Sequence, residues 1–325
     1  MKTISFNKAG DPGEVLELVE KEIPSPGGNE VLVKITGSPV NPADRFFIEG
    51  TYRFKPEFPH QTAGLEGAGI IVKAGKATHL RKGTLVAFLF SRSWAEYAVI
   101  PAEELVVLPA DFPVEKAVQF CLNPFTAWGI LEEARLQPGE WLLLTAANSN
   151  VSQIVIQLAK QRNINIIGII RKPEQAPGLY DLGAKAVLCA EEDNLDKKIN
   201  EITAGKGVNA ALDAVGGKTG TTVIKNMALF GRLIIYGRLK DEPVQFYNAQ
   251  ITYKNLTIKG FGIRAFLNNQ TKQQRQDMVK TLVTEIAKPA FKLPVAHAFV
   301  WDEFKEAWKA TTREDRKGKI IFKAL

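Results

Sequence analysis

Cysteine and histidine are scarce in this chain: two cysteines, Cys121 and Cys189, and three histidines, His60, His79 and His297, in 325 residues. Neither cysteine has a C-x-x-C partner, so a disulfide framework or a cysteine-built metal site is excluded as an expectation. A tetrahedral zinc site needs three or four N, S or O ligands close together, and scattered residues of these types do not supply them. Long apolar runs are missing too; none approaches the roughly 20 residues of a bilayer span, so no membrane partner is expected. The opening residues Met1-Lys2-Thr3-Ile4-Ser5-Phe6 lack the apolar core and small-residue cleavage site of a signal peptide, and the expected compartment is cytoplasmic. No low-complexity stretch is present, and 45% apolar with 24% charged residues is ordinary for a folded chain. At this length two domains are expected.

The net charge is +7 and the pI about 9.2. No recognition helix and no aromatic–basic RNA motif accompanies that excess, and its basic residues are spread over solvated faces such as 272–275. Nucleic acid is therefore not an expected partner; an anionic small molecule accounts for the charge more simply.

Up to about residue 122 the chain reads as short strands broken by glycine and proline, among them Val31-Leu32-Val33-Lys34-Ile35, Gly69-Ile70-Ile71-Val72 and Leu85-Val86-Ala87-Phe88-Leu89. The pattern then changes. Trp141-Leu142-Leu143-Leu144 leads through Asn148-Ser149-Asn150 into a helical period over 151–162, with Ile154, Val155, Leu158 and Ala159 on one face. Apolar strands follow at Ile166-Ile167-Gly168-Ile169-Ile170, Ala210-Ala211-Leu212, Leu233-Ile234-Ile235 and Leu256-Thr257-Ile258. Strands apolar on both faces and alternating with helices indicate an α/β domain with a doubly wound parallel sheet. Helices are expected over 271–288 and 302–310, where Phe304 and Trp308 read as core packing. The last strand, Lys319-Ile320-Ile321-Phe322-Lys323, is expected to rejoin the first domain. The domains then run 1–122 with 266–325, and 123–265.

A dinucleotide fold turns from its first strand into its first helix through G-x-G-x-x-G. That fingerprint is absent: the turn reads Ala146-Ala147-Asn148-Ser149-Asn150-Val151-Ser152. Asn tolerates left-handed backbone, and Asn and Ser can cap a helix and donate to phosphate, so these residues fit either a phosphate site or an ordinary capped turn. The end of the second strand says more. NAD-binding folds place a carboxylate there for the ribose 2′-hydroxyl, whereas Arg171 and Lys172 stand there in this chain and suit a 2′-phosphate. NADPH is the expected cofactor.

Asn41-Pro42-Ala43-Asp44, Glu49-Gly50-Thr51-Tyr52, Gly64-Leu65-Glu66-Gly67, Asn123-Pro124-Phe125-Thr126-Ala127-Trp128, Asn148-Ser149, Val215-Gly216-Gly217-Lys218 and Tyr236-Gly237 occur in this order. Together they resemble the 2-enoyl thioester reductase branch of the medium-chain dehydrogenase/reductase superfamily, with the zinc-free quinone oxidoreductases as near neighbours. The match runs nearly end to end. It implies a GroES-like β-rich domain (1–122 and 266–325) and a Rossmann domain (123–265). The superfamily's zinc enzymes use cysteine where this chain has Asn41 and Gly-His-Glu where it has Gly64-Leu65-Glu66, and their four-cysteine lobe is missing here; no zinc is expected.

By the same resemblance Tyr52 is the proton donor. Hydride added to the β carbon of a C=C–C=O unit leaves an enolate to be protonated at Cα, and a phenol, titrating at about 10, holds a proton for that step. The implied cofactor-binding set is Asn41, Asn123, Asn148, Ser149, Asn150, Val151, Arg171, Lys172, Tyr236, Gly237, Phe261, Ile263 and Lys319. Two positions depart from the branch: Ser152 replaces a glycine, and Gly262 replaces a bulky aromatic of the acyl pocket. Three functions are carried forward: reduction of an enoyl thioester or enone, quinone reduction, and a non-catalytic nucleotide-responsive binding role, which in some relatives extends to RNA. A homodimer through edge strands near 256–261 is expected.

Overall fold

A computed structural model of the chain describes residues 1–324 except 91, 192, 241, 314 and 315. Two compact units are present, one formed by Met1–Leu122 with Val279–Leu325 and the other by Asn123–Met278. The return to the first unit thus falls at 279, inside helix Lys272–Ala287, and not at 266 as the order of elements and the family resemblance imply. Helix Ile263–Asn268 stays with the second unit because Phe266 and Phe261, ring centroids 5.4 Å apart, both pack on Gly129 of helix Leu122–Ala134.

The first unit is built on strand Glu30–Pro39. It pairs antiparallel with Glu66–Ala74, Tyr97–Pro101 and the C-terminal strand Lys319–Lys323. Its side chains alternate, with Val31, Val33 and Ile35 fully buried in a core shared with Ile4, Phe6, Trp94 and Phe322. The C-terminal strand joins this sheet as expected, Phe322 opposite Ser38 and Ile321 opposite Pro39. The pairing is non-local, and it carries Lys319 into the interior beside the start of helix Pro42–Ile48. Phe304 and Trp308 pack on the same core, as their spacing predicted.

In the second unit six parallel strands lie in the order Ala186–Cys189, Asn165–Ile170, Trp141–Leu144, Val208–Asp213, Met227–Ile235, Thr257–Gly260. Counted along the chain this is 3-2-1-4-5-6, the doubly wound dinucleotide-fold order. The inner strands are buried on both faces, with Leu142–Leu144, Ile166, Ile167 and Ala210–Leu212 at 0% exposure, which is why they read as unbroken apolar runs. Helix Asn150–Gln161 covers one face through Ile154, Val155, Leu158 and Ala159. The order reverses between Trp141–Leu144 and Val208–Asp213, and ligands of such sheets bind outside the carboxyl ends of strands at that crevice.

Candidate nucleotide face and buried polar cluster

At the switch point two strand ends are tied together by side chains. Thr145 Oγ1 donates to Asp213 Oδ1 at 2.7 Å and accepts the Ala214 N–H at 2.9 Å. Asp213 also accepts from the N–H groups of Val215 and Gly216, so a fully buried carboxylate is saturated by donors. The chain leaves Trp141–Leu144, passes through Ala146 at φ +46°, and enters helix Asn150–Gln161 with Ser149 as N-cap, its Oγ accepting from the Ser152 N–H. The cap uses one of the helix's four unpaired donors, and a twelve-residue helix with uncommitted N–H groups favours an anion at Asn150 and Val151.

Ser152 stands where the glycine fingerprint has its third glycine, and it is buried. Its hydroxyl lies 3.5 Å from Thr145 O and 3.3 Å from Tyr236 Oη. The serine therefore links the turn to the end of the fifth strand. Burial raises the Tyr236 pKa, partly offset by hydrogen bonds from Ser152 and Ser149, so the phenol is neutral near pH 7. The small residue needed for close strand packing comes from the neighbouring strand: a Cβ on Gly168 would lie 2.8 Å from Ala147 Cβ. Gly237 is closely packed as well, since a Cβ there would lie 3.0 Å from Ala214 O. Arg171 is exposed at the carboxyl end of the second strand, and its carbonyl accepts from Cys189 Sγ at 3.0 Å. Lys172 is half-buried beside it.

The first unit encloses a second polar group. Asn41 caps helix Pro42–Ile48, and its N–H donates to Asp44 Oδ2 at 2.6 Å, while Asp44 Oδ1 accepts from Leu65 N–H at 2.9 Å. Gly64 makes that last contact possible: its φ is +87°, and a Cβ would lie 2.3 Å from the Trp94 ring. Glu66 Oε1 accepts the N–H groups of Cys121 and Leu122 at 2.8 and 2.7 Å, and Oε2 accepts from Asn41 Nδ2 at 3.0 Å. Asn41 Oδ1 in turn receives the Lys319 ammonium. All four side chains are at most 4% exposed. Burial pushes the Asp44 carboxyl up to about 7, against the two N–H groups and the Lys319 charge that lower it; burial brings Lys319 down to about 8, with Glu66 and Asp44 opposing.

The expected site residues thus fall into separate groups. Asn41 and Lys319 meet in the first unit. Asn148–Val151, Arg171, Lys172, Tyr236 and Gly237 gather along the strand ends of the second. Asn123 is buried at the start of helix Leu122–Ala134, Ile263 is buried, and the Phe261 ring lies on Gly129 while its N–H donates to Ile235 O. Tyr52 follows helix Pro42–Ile48: its N–H donates to Phe46 O at 2.9 Å and its half-buried ring packs edge-on to Phe54, centroids 5.0 Å apart. Asp44, Glu66, Thr145 and Asp213 had not been singled out as site residues. The Asn41-x-x-Asp44 spacing of a capping box was a visible signal for one of them.

A doubly wound sheet with an open helix N-terminus at its switch point, carried by a chain with a separate β-rich unit, defines a dinucleotide-dependent oxidoreductase. The chain matches the alcohol dehydrogenase GroES-like domain over residues 27–110 and the zinc-binding dehydrogenase family over residues 151–284. It is 30% identical to the mitochondrial enoyl-[acyl-carrier-protein] reductase of Bos taurus over 96% of its own length and 86% of the relative's. Among solved structures, the quinone oxidoreductase of Pseudomonas syringae pv. tomato DC3000 is 27% identical with a TM-score of 0.88, covering 99% of each chain. The Escherichia coli quinone oxidoreductase complexed with NADPH is 25% identical with a TM-score of 0.89, covering 100% of each. The chain belongs to the medium-chain dehydrogenase/reductase superfamily.

The zinc of the family description does not fit these residues. Asn41 presents its oxygen to an ammonium, all the donors aimed at Glu66 are N–H groups, and burial with the nearby Glu66 charge holds the Cys121 thiol protonated. Among the described residues no group of three or more His, Cys, Asp or Glu could hold a metal ion, and no helix is long and apolar enough to cross a membrane.

Proposed function

We propose that the protein is an NADPH-dependent, zinc-independent reductase of a C=C bond conjugated to a carbonyl, its substrate a 2-enoyl thioester or enone. The observation that carries this reading is Tyr52, anchored by its backbone and by Phe54, in a chain similar over 96% of its length to named enoyl reductases. NADPH, when bound, supplies the hydride. The N–H groups of Asn150 and Val151 with the Ser149 cap would hold its pyrophosphate, Arg171 and Lys172 its 2′-phosphate, and Asn41, Asn123, Asn148, Tyr236, Gly237, Phe261, Ile263 and Lys319 would complete the binding set. The Tyr52 hydroxyl would give its proton to Cα of the reduced substrate, and the phenolate left behind would regain one from solvent.

Quinone reduction is the second reading, favoured by the fold neighbours and by Gly262. The φ of Gly262 is −132°, open to any residue, so the backbone does not require a glycine there. NADPH oxidation with a crotonyl thioester and with simple quinones, measured for wild type and Tyr52→Phe, separates the two. Tyr52→Phe should slow thioester turnover by roughly 100-fold or more and quinone turnover only a few-fold. Equal losses would make Tyr52 a binding or structural residue, and thioester turnover that is unaffected, or undetectable in wild type, would transfer the reading to quinones.

A homodimer through Thr257–Gly260 is part of the same reading. This edge strand is exposed along its length, and Phe230 on the adjoining strand is 68% exposed. Light scattering should give twice the chain mass and the single-chain mass for Ile258→Lys; a monomeric wild type would end it. A cytoplasmic location belongs to the same reading, and the named relatives are mitochondrial. Fractionation of the native protein decides between the two.

A further inference from the structure

Lys319 is buried, 4% exposed, and Asn41 Oδ1 is the hydrogen-bond acceptor of its ammonium among the described residues. An ammonium has three donors, so among the described residues two remain for another acceptor. What holds the group in place is not a direct carboxylate contact but an amide whose orientation is set from behind. Glu66 Oε1 is committed to two main-chain N–H groups, Cys121 and Leu122, which cannot reverse their polarity. Glu66 Oε2 faces the Asn41 side chain. A carboxylate only accepts, so Asn41 must turn its NH2 toward Glu66 and its oxygen toward Lys319. A protonated Glu66 would donate from Oε2, turn the amide over and set NH2 against the ammonium.

We propose that Glu66 is the positioning residue for Lys319: through the Asn41 amide it fixes the ammonium for an anionic group of the bound NADPH. The inference rests on Lys319 belonging to the cofactor-binding set. Asp44 supports the relay from the other side, since it accepts the Asn41 main-chain N–H and so holds the residue whose side chain carries the signal.

Glu66→Gln tests this with almost no change of shape. Its amide oxygen must face the Cys121 and Leu122 N–H groups, its NH2 then faces Asn41, and the Asn41 amide can satisfy that NH2 only by turning its own NH2 toward Lys319. The measurement is NADPH affinity by fluorescence titration, with KM and kcat alongside, for wild type, Glu66→Gln, Lys319→Met and the double variant. Both single variants should raise the NADPH Kd about ten-fold, Glu66→Gln should keep kcat at saturation within a few-fold of wild type, and the double variant should bind no worse than Lys319→Met alone. A structural role for Glu66 predicts losses that multiply, and that result overturns the proposal; so does a Glu66→Gln affinity equal to wild type, or a Lys319→Met affinity equal to wild type. If Glu66→Gln does not fold, Glu66→Asp, whose shorter side chain cannot span the Cys121 and Leu122 N–H groups and the Asn41 amide together, cuts the same relay and should show the same loss and the same non-additivity with Lys319→Met. A wild-type protein that binds no NADPH removes the reductase reading itself, an outcome distinct from a failure of the relay.

Discussion

Replacing Thr145 by valine removes one oxygen from the place where the two central strand ends of the nucleotide unit are joined. The residue is fully buried, and its shape is nearly kept, so the loss is one of hydrogen bonds and not of packing. Two bonds go. The Ala214 N–H, buried with it, is left without an acceptor, which costs about 1–3 kcal/mol, and Asp213 loses a donor to a charged oxygen, about 1.5–3 kcal/mol. Asp213 keeps the N–H groups of Val215 and Gly216, which limits the second contribution. The expected loss is about 3–5 kcal/mol, or on the order of 10 °C in the melting of a unit this size. Thr145→Ser keeps the hydroxyl and should cost only about 1 kcal/mol for the missing methyl. Calorimetric melting of the full chain reads the first effect, and amide hydrogen exchange at Ala214 reads the unpaired N–H directly. A valine variant that melts within about 2 °C of wild type, with Ala214 still protected, would refute the reasoning that this hydroxyl joins the strands.

Arg171→Ala should weaken NADPH roughly ten-fold while leaving NADH nearly unchanged, as charge-assisted phosphate contacts at an exposed site allow; equal losses for both cofactors, in parallel titrations, would place Arg171 away from the 2′-phosphate. Burial raises the Asp44 carboxyl from 3.8 to about 7, so the folded protein retains a proton that the unfolded chain gives up above about pH 4, and this contribution to stability is present below pH 4 and lost as pH rises through 7. Between pH 4 and pH 7 wild type should therefore lose up to about 4 kcal/mol relative to Asp44→Asn, followed by urea midpoints; parallel profiles for the two proteins would show that Asp44 does not titrate in that window.

Local chemistry makes much of this protein legible in its sequence. The two-sided apolar runs at 142–144, 166–170 and 210–212 dictate a covered parallel sheet, because only strands buried on both faces tolerate such composition. The helix after Ser149 follows from its cap and its 3.6-residue apolar spacing, and the position of Arg171 follows from where the second strand stops. The extent of each unit was less legible: Phe266 keeps its helix with the nucleotide unit by packing on Gly129, a contact more than a hundred residues away in sequence.

Tertiary structure alone decided the polar clusters. Lys319 meets Asn41 because the C-terminal strand pairs with Glu30–Pro39, and Glu66 reaches Cys121 because Gly64 lets the chain turn under Trp94. Thr145 finds Asp213, and Ser152 finds Tyr236, across strand ends 68 and 84 residues apart. Hydrophobic periodicity is written in windows of ten or fifteen residues, so fold class can be read from it. A buried polar group must find its partner wherever the fold brings one, since leaving it unpaired costs as much as a sizeable core contact, and that pairing has no local signature.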